Sequence, residues 1–317
     1  MRTDAVADAD ESASPRRIMS WNARFAAPTL PCITASELSA PLLDGSSPIR
    51  VRGYWPGASL AFEQLDENQQ VNLAESPETA APTHLDNNSL VQPLTTEVPI
   101  GEALRQLSSG KRRMGLHKVT LPSRVADQLA APLAHMQQLV GQPIERALLW
   151  LNNGQLNTNL HFDPRDNLQF QLSGKKEVLL LPPAIMAELG YLSPREEMRY
   201  AARNETAAAD WIKVATNRPA AENHSPLPVF ASFASRTTAI ADSIVDQARI
   251  CTLHEGDALF IPALWSHAVL SHPATRHPPI NAMVNWCVRS RRTSATSCAR
   301  LCMPIFTSCL HARAGGI

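Results

Sequence analysis

From Arg146 onward the chain breaks into short apolar or alternating segments: "RALLWLNN", "LHFD", "LQFQL", "EVLLLPP", "ARICTLHEGDALFIPA", "SHAVLSH" and "INAMVNWCV". Gly, Pro and Asn separate them. Each segment has the length of a strand rather than a helix, and several alternate with period two. This texture predicts a run of strands joined by tight turns, in an antiparallel sandwich or barrel. Residues 184–247 interrupt the run. They include the proline-rich "NHSPLPVF" and read as a helical and coil insertion between two halves of the β core.

The first half is more mixed. Residues 1–30 are small, charged and proline-containing, and read as disordered. "PCITASELSAPLL" offers a short capped helix, and "PIRVRGYWPG" a strand ending in a turn. Residues 64–95 are polar and read as a surface excursion. "IGEALRQLSSG" carries Ile100, Leu104 and Leu107 at helical spacing, with Gly110 as its stop. "SRVADQLAAPLAHMQQLV" is also helical, with Pro132 interrupting it. The tail, 291–317, has no acid and several arginines. It reads as a basic, disordered segment; Cys298, Cys302, Cys309 and His311 match no strong zinc spacing.

Charge narrows the function classes. Lys plus Arg and Asp plus Glu are 29 each, so the surface as a whole is no nucleic-acid binder, although a local basic patch remains compatible. Six cysteines without framework spacing suggest a reducing compartment, cytoplasmic or nuclear. No apolar run is long enough for a membrane span, and "MRTDAVADADESASPRR" is neither a secretory signal nor a transit peptide.

The chemistry concentrates in "NTNLHFDPRDNLQFQLSGKKEVLLLPP". If "LHFD" is extended, His161 and Asp163 share one face and Phe162 takes the other. A lone His-x-Asp is weak, being common as a surface pair at a strand end. His267, in "GDALFIPALWSHAVLS", is the histidine best placed in strand context to join them. Two histidines and one carboxylate form the facial set that holds non-haem Fe(II) and leaves open coordination positions. In "NLQFQL", Asn167, Gln169 and Gln171 share one face and Leu168, Phe170 and Leu172 the other, and either face can be the inner one.

From about Ile33 to Val288 the chain resembles the JmjC-type, cupin-like 2-oxoglutarate-dependent oxygenases, most of all their small hydroxylase branch. The resemblance rests on "PIRVRGYWPG", the central motif, the distal-histidine motif and the closing strand "NAMVNWCV". It implies a mainly β domain with flanking helices, a double-stranded β-helix or jelly roll, spanning 31–290 with insertions at about 64–95 and 184–247. It implies Fe(II) at His161, Asp163 and His267. It also implies that 2-oxoglutarate is a co-substrate, with its far carboxylate on Lys176, fifteen residues after His161. Thr158, Asn167 and Asn285 match positions that hydrogen-bond the co-substrate or line its pocket.

The expected reaction is hydroxylation of a protein side chain, or secondarily an RNA base, with 2-oxoglutarate decarboxylated to succinate. A lysine demethylase and a catalytically silent cupin-like scaffold are the alternatives. One departure is Ser266, where the family usually has Trp directly before the distal histidine; Trp265 stands one earlier. The tail does not resemble the helical dimerisation segments of some members, and the oligomeric state is left open.

Overall fold

A computed structural model describes residues 29–288 except 31, 56–64, 66–67, 78–83, 87–88, 111–113, 122, 154–155, 192–195, 203–210, 219–220, 222, 228 and 230–241. For 84–86, 117–118, 123–124 and 242 only the backbone is described. The expectations for residues 1–28 and for the tail lie outside these residues.

The first strands are β1 (Cys32–Thr34) and β2 (Ile49–Arg52), with a short 3-10 turn between them at Ala40–Leu43. The 64–95 stretch is more structured than its polarity predicts. It carries β3 (Gln70–Glu75), β4 (His84–Asp86), β5 (Ser89–Gln92) and the start of β6 (Leu94–Pro99). Leu90 and Val91 there are fully buried. Helix α1 (Ile100–Ser109) ends as the spacing predicts, at Gly110 with φ 64°. After β7 (Met114–Thr120) come α2 (Ser123–Gln128) and α3 (Ala130–Val140). Pro132 lies in the first turn of α3, where its missing N–H costs nothing, so it begins a second helix instead of breaking one.

The β core then runs β8 (Ile144–Asn153), β9 (Leu156–Phe162), β10 (Asp166–Ser173) and β11 (Lys175–Leu181). The 184–247 insertion contributes β12 (Glu196–Ala202) and β13 (Trp211–Ala215), strands where helix and coil were expected, and a short helix at Asp242–Gln247. The core resumes with β14 (Arg249–Leu253), β15 (Ala258–Ile261), β16 (Ser266–His272) and β17 (Ile280–Val288).

These eight core strands pair in a nested order: β8 with β17, β9 with β16, β10 with β15, and β11 with β14. Within β8–β11 and again within β14–β17, consecutive strands alternate between two sheets. One sheet has the order β1-β2-β15-β10-β17-β8-β7-β3-β6 and the other β14-β11-β16-β9. A long antiparallel hairpin wound in this way is a jelly roll, the double-stranded β-helix. A third sheet, β13-β12-β5-β4, is built wholly from the two insertions.

Packing decides which faces point inward. On the outer side of the large sheet, Leu168, Phe170, Leu172, Val284 and Trp286 pack against Ile100, Leu107, Val125 and Met136 of the helices. Phe170 and Trp286 stack at 6.0 Å. With that side apolar, the other face of β10 must carry Asn167, Gln169 and Gln171 inward. All three are buried, at 2%, 4% and 0% exposure. A polar, solvent-facing alternation is thereby excluded. On the outer side of the small sheet, Leu160, Phe162, Leu179, Leu181, Ala268 and Leu270 pack against Ile185, Leu189 and Tyr191. Between the sheets lies a smaller apolar group that includes Val178, Leu180, Leu259, Ile261 and Val269.

The turn from β10 to β11 depends on Gly174. Its φ is +76°, and a Cβ there would stand 2.6 Å from the His272 carbonyl oxygen. Gly53 has φ +58° but open space around it. Gly53→Ala should therefore cost about 1 kcal/mol, the left-handed penalty alone, and Gly174→Ala roughly 2–4 kcal/mol. Urea denaturation of both variants checks this; equal costs would mean that the crowding at Gly174 is relieved cheaply.

Candidate metal centre

β9 and β16 run antiparallel with His161 directly opposite His267, so both side chains leave the same face of the small sheet. Asp163 follows His161 by two residues. The three offer ligand atoms that all lie within 4.8 Å of one another. His267 Nε2 is 3.7 Å from Asp163 Oδ2, and the two imidazole centroids are 4.2 Å apart with planes tilted by 52°.

Each histidine is oriented through its far nitrogen. His161 Nδ1 lies 2.8 Å from the Asn159 carbonyl oxygen, and His267 Nδ1 lies 3.1 Å from that of Trp265. A carbonyl can only accept, so Nδ1 carries the proton and Nε2 keeps its lone pair for a cation. Burial and the neighbouring His161 hold the pKa of His267 well below the usual imidazole range, which keeps it neutral and ready to ligate. Asp163 Oδ2 accepts a 2.6 Å hydrogen bond from Asn167 Nδ2. That bond fixes one carboxylate oxygen.

The turn before β16 braces the site. Leu264 N donates to the Asp163 carbonyl (2.8 Å) and Ala263 N to Asp166 Oδ1 (2.7 Å). Leu264 adopts φ 69°, a strained value for a residue with a side chain. Ser266 points to the other side of the sheet, where its Oγ meets the Tyr191 hydroxyl at 2.8 Å. Position 266 therefore walls the outer apolar cluster and not the His161, Asp163 and His267 group. Trp265 packs against the interior group.

Deeper between the sheets lies Lys176, 4% exposed, with its Nζ 2.9 Å from Ser271 Oγ. Burial draws its pKa down to about 7. Lys175 faces the opposite side and is 3.1 Å from Glu177, a carboxylate whose side chain is 2% exposed. Thr158 pairs across from Val269, a residue of the interior group. Asn285 lies directly opposite Gln169. Neither Asn285 Oδ1 nor Gln169 Oε1 has a hydrogen-bond partner among the described residues. His272, in contrast, sits 3.2 Å from Glu177 and away from the three-residue cluster. Nothing in the sequence marks Ser271 or the bracing turn. Their roles come from pairing across strands nearly a hundred residues apart.

The interior therefore fits the groups expected of it. Two imidazoles and a carboxylate suit a divalent transition metal. A buried amine hydrogen-bonded to the Ser271 hydroxyl suits a small anion better than an apolar ligand.

The cupin-like domain model matches residues 50–291, most of the chain. The chain belongs to the cupin-like domain family. Two curated JmjC proteins resemble this cupin-like chain. The human bifunctional peptidase and (3S)-lysyl hydroxylase JMJD7 is 25% identical over 256 residues, covering 76% of this chain and 73% of that protein. The Arabidopsis thaliana lysine-specific demethylase JMJ31 is 29% identical over 126 residues, 40% of this chain. That second match spans only 19% of the plant protein's length. Among the described residues no helix is long and apolar enough to cross a membrane.

The geometry sets an order of sensitivity for metal binding. His161→Ala removes a ligand and should abolish tight Mn(II) binding. Asn167→Ala leaves all three ligands and should weaken binding by about 10–100-fold, as loss of a supporting hydrogen bond does. Isothermal titration with Mn(II) on the folded variants measures both. Parent-like affinity in His161→Ala would reject the centre.

Proposed function

We propose that this protein is an Fe(II)- and 2-oxoglutarate-dependent dioxygenase that hydroxylates a protein side chain, converting 2-oxoglutarate to succinate. The observation that carries this reading is Lys176: a buried lysine whose only hydrogen-bond partner among the described residues is Ser271, in the same inter-sheet space as the His161, Asp163 and His267 cluster. A buried amine is costly unless something anionic joins it, and a dicarboxylate chelated at one end needs a cation at the other.

Iron, when bound, supplies the redox chemistry that couples O₂ reduction and 2-oxoglutarate decarboxylation to hydroxylation. The chain's own residues have separate tasks. His161, Asp163 and His267 hold the metal on one face. Asn167 holds the Asp163 carboxylate in place through its hydrogen bond to Oδ2. Lys176 and Ser271 receive the far carboxylate of the co-substrate. Thr158, Asn167 and Asn285 orient it, and the apolar pair Val178 and Leu180 beside it limits water. We assign the catalytic domain to 31–290, with 1–30 and 291–317 as flanking segments.

The human relative's name favours a lysyl side chain as substrate, and the plant relative's name supports demethylation as the second reading. A soluble protein substrate fits a cytoplasmic or nuclear location. The direct experiment is anaerobic titration with Fe(II) and 2-oxoglutarate, then succinate measurement with lysyl peptides, methyl-lysyl peptides and RNAs. Once O₂ is admitted, succinate formed together with a stable hydroxylated product supports the first reading; formaldehyde release supports the second. No 2-oxoglutarate binding at all would reject both.

Lys176 gives a sharper test. Lys176→Met should lower 2-oxoglutarate affinity about thirtyfold to several thousandfold, since truncating one partner of a buried charge pair costs roughly 2–5 kcal/mol. Lys175→Met should leave that affinity alone but lower stability, because it removes the lysine cation 3.1 Å from the buried Glu177 carboxylate. The pH dependence has a fixed sign. In the empty protein burial draws the pKa of the amine down to about 7, far below the ordinary lysine value of 10.5. The dianion binds the protonated form, so above pH 7 binding must take up a proton. Affinity should then fall about tenfold per pH unit, a slope absent in Lys176→Met. Stability of the empty protein follows the same linkage. The unfolded amine holds its proton up to about pH 10, so the cost of burying it is full below pH 7 and shrinks as pH rises. Lys176→Met should therefore be the more stable apo form, most clearly at or below pH 7.

A further inference from the structure

One histidine outside the ligand set stands against it. β9 lies at the edge of the small sheet, with β16 on one side. On its other side the 184–247 insertion returns as Asn223–Ser225 and closes that edge. Phe162 N donates to the Asn223 carbonyl (3.1 Å) and Ser225 N to that of Leu160 (2.9 Å). Asn223 Nδ2 donates back to the Phe162 carbonyl (2.8 Å), and Asn159 Nδ2 to that of Ser225 (3.1 Å). His224 is thereby the antiparallel bridge partner of His161, whose other partner is His267. Three histidines stand in one row across β16, β9 and the Asn223–Ser225 segment, with His161 in the middle.

Residues opposed in an antiparallel pair share a face. The His224 ring accordingly lies parallel to the His161 ring, with centroids 5.4 Å apart and planes 15° from one another. Its Nδ1 is 3.1 Å from Asn223 Oδ1, so the ring is itself held in place. It does not belong to the group of ligand atoms that converge within 4.8 Å.

The Cβ tether, the carbonyl at Nδ1 and a cation at Nε2 together define the plane of the His161 imidazole, but a hydrogen bond and a metal bond both tolerate tilt. A parallel aromatic ring against the ring face narrows that tilt. We propose that His224 is a positioning residue of the metal centre: by stacking on His161 it narrows the tilt of that ligand's ring, so the insertion helps to set the metal geometry. This rests on the metal-centre reading given above.

Three variants test it: His224→Ala, His224→Leu, which restores bulk without a flat face, and His224→Phe, which restores the flat face without a nitrogen. Each is titrated anaerobically with Co(II), reading both affinity and the visible ligand-field spectrum, and folding is checked by far-UV circular dichroism. In the Ala and Leu variants we expect Co(II) affinity to fall about tenfold, the lower end of the effect of losing an outer-shell partner, with a displaced spectrum. The Phe variant should keep the parent's affinity and spectrum. Ala and Leu variants that match the parent would overturn the proposal. So would a Phe variant as impaired as Ala, since the nitrogen and not the ring face would then matter. A parent protein that binds no Co(II) would instead overturn the metal-centre reading, and this inference with it.

Discussion

The register between β9 and β16 is the constraint from which the site follows. It sets His161 against His267 and turns both into the space between the sheets. A slip by one residue would send every side chain of the strand to the opposite face. Leu160 and Phe162 would enter the polar interior, and His161 would enter the outer apolar cluster. Burial of one such apolar side chain stabilises by about 1.5–3 kcal/mol. Moving two of them, together with an unpaired imidazole, would consume much of the roughly 5–15 kcal/mol that holds an ordinary domain together. The outer clusters thus enforce the inner chemistry without contacting it.

That division of labour explains how the barrel tolerates so polar an interior. Most of the apolar burial lies outside the barrel, where the helices cover the large sheet and the Ile185–Tyr191 segment covers the small one. The interior is then free to hold Lys176, Gln169, Gln171 and Asn285, each nearly or fully buried. Unsatisfied groups of this kind cost about 1–3 kcal/mol apiece. The strained Leu264 adds to the cost. Such expense is characteristic of a chamber shaped to receive something.

Much of this is legible in the sequence. The period-two runs with their Gly and Pro breaks give the antiparallel barrel. The two-residue step from His161 to Asp163 gives their common face, and the alternation in "SGKKE" separates Lys176 from Lys175. Other features are not legible, for physical reasons. Thr158 and His161 differ in parity, yet both lie opposite interior-facing residues, because a register shift between His267 and Val269 places an extra β9 residue there. No local pattern announces a bulge of that kind. The polar 64–95 stretch conceals Leu90 and Val91 because their strand is completed by β12, more than a hundred residues away. The partner decides the burial, and the partner is not local. His224 is invisible for the same reason: it reads as one more polar residue in a proline-rich loop.

The parallel ladder between β5 and β12, from Ser89 opposite Glu196 to Gln92 opposite Arg199, joins the two insertions into one sheet. Side chains reinforce it, with Gln92 Nε2 3.5 Å from Glu197 Oε2 and Ser89 Oγ 3.3 Å from Glu196 Oε1. Each insertion therefore completes the other's hydrogen bonding. In a chimaera with another barrel of this kind, transplanting either loop alone would strand an unpaired edge and expose the apolar pair Leu90 and Val91. The two have to travel together, as a single cassette cut at four points of the chain.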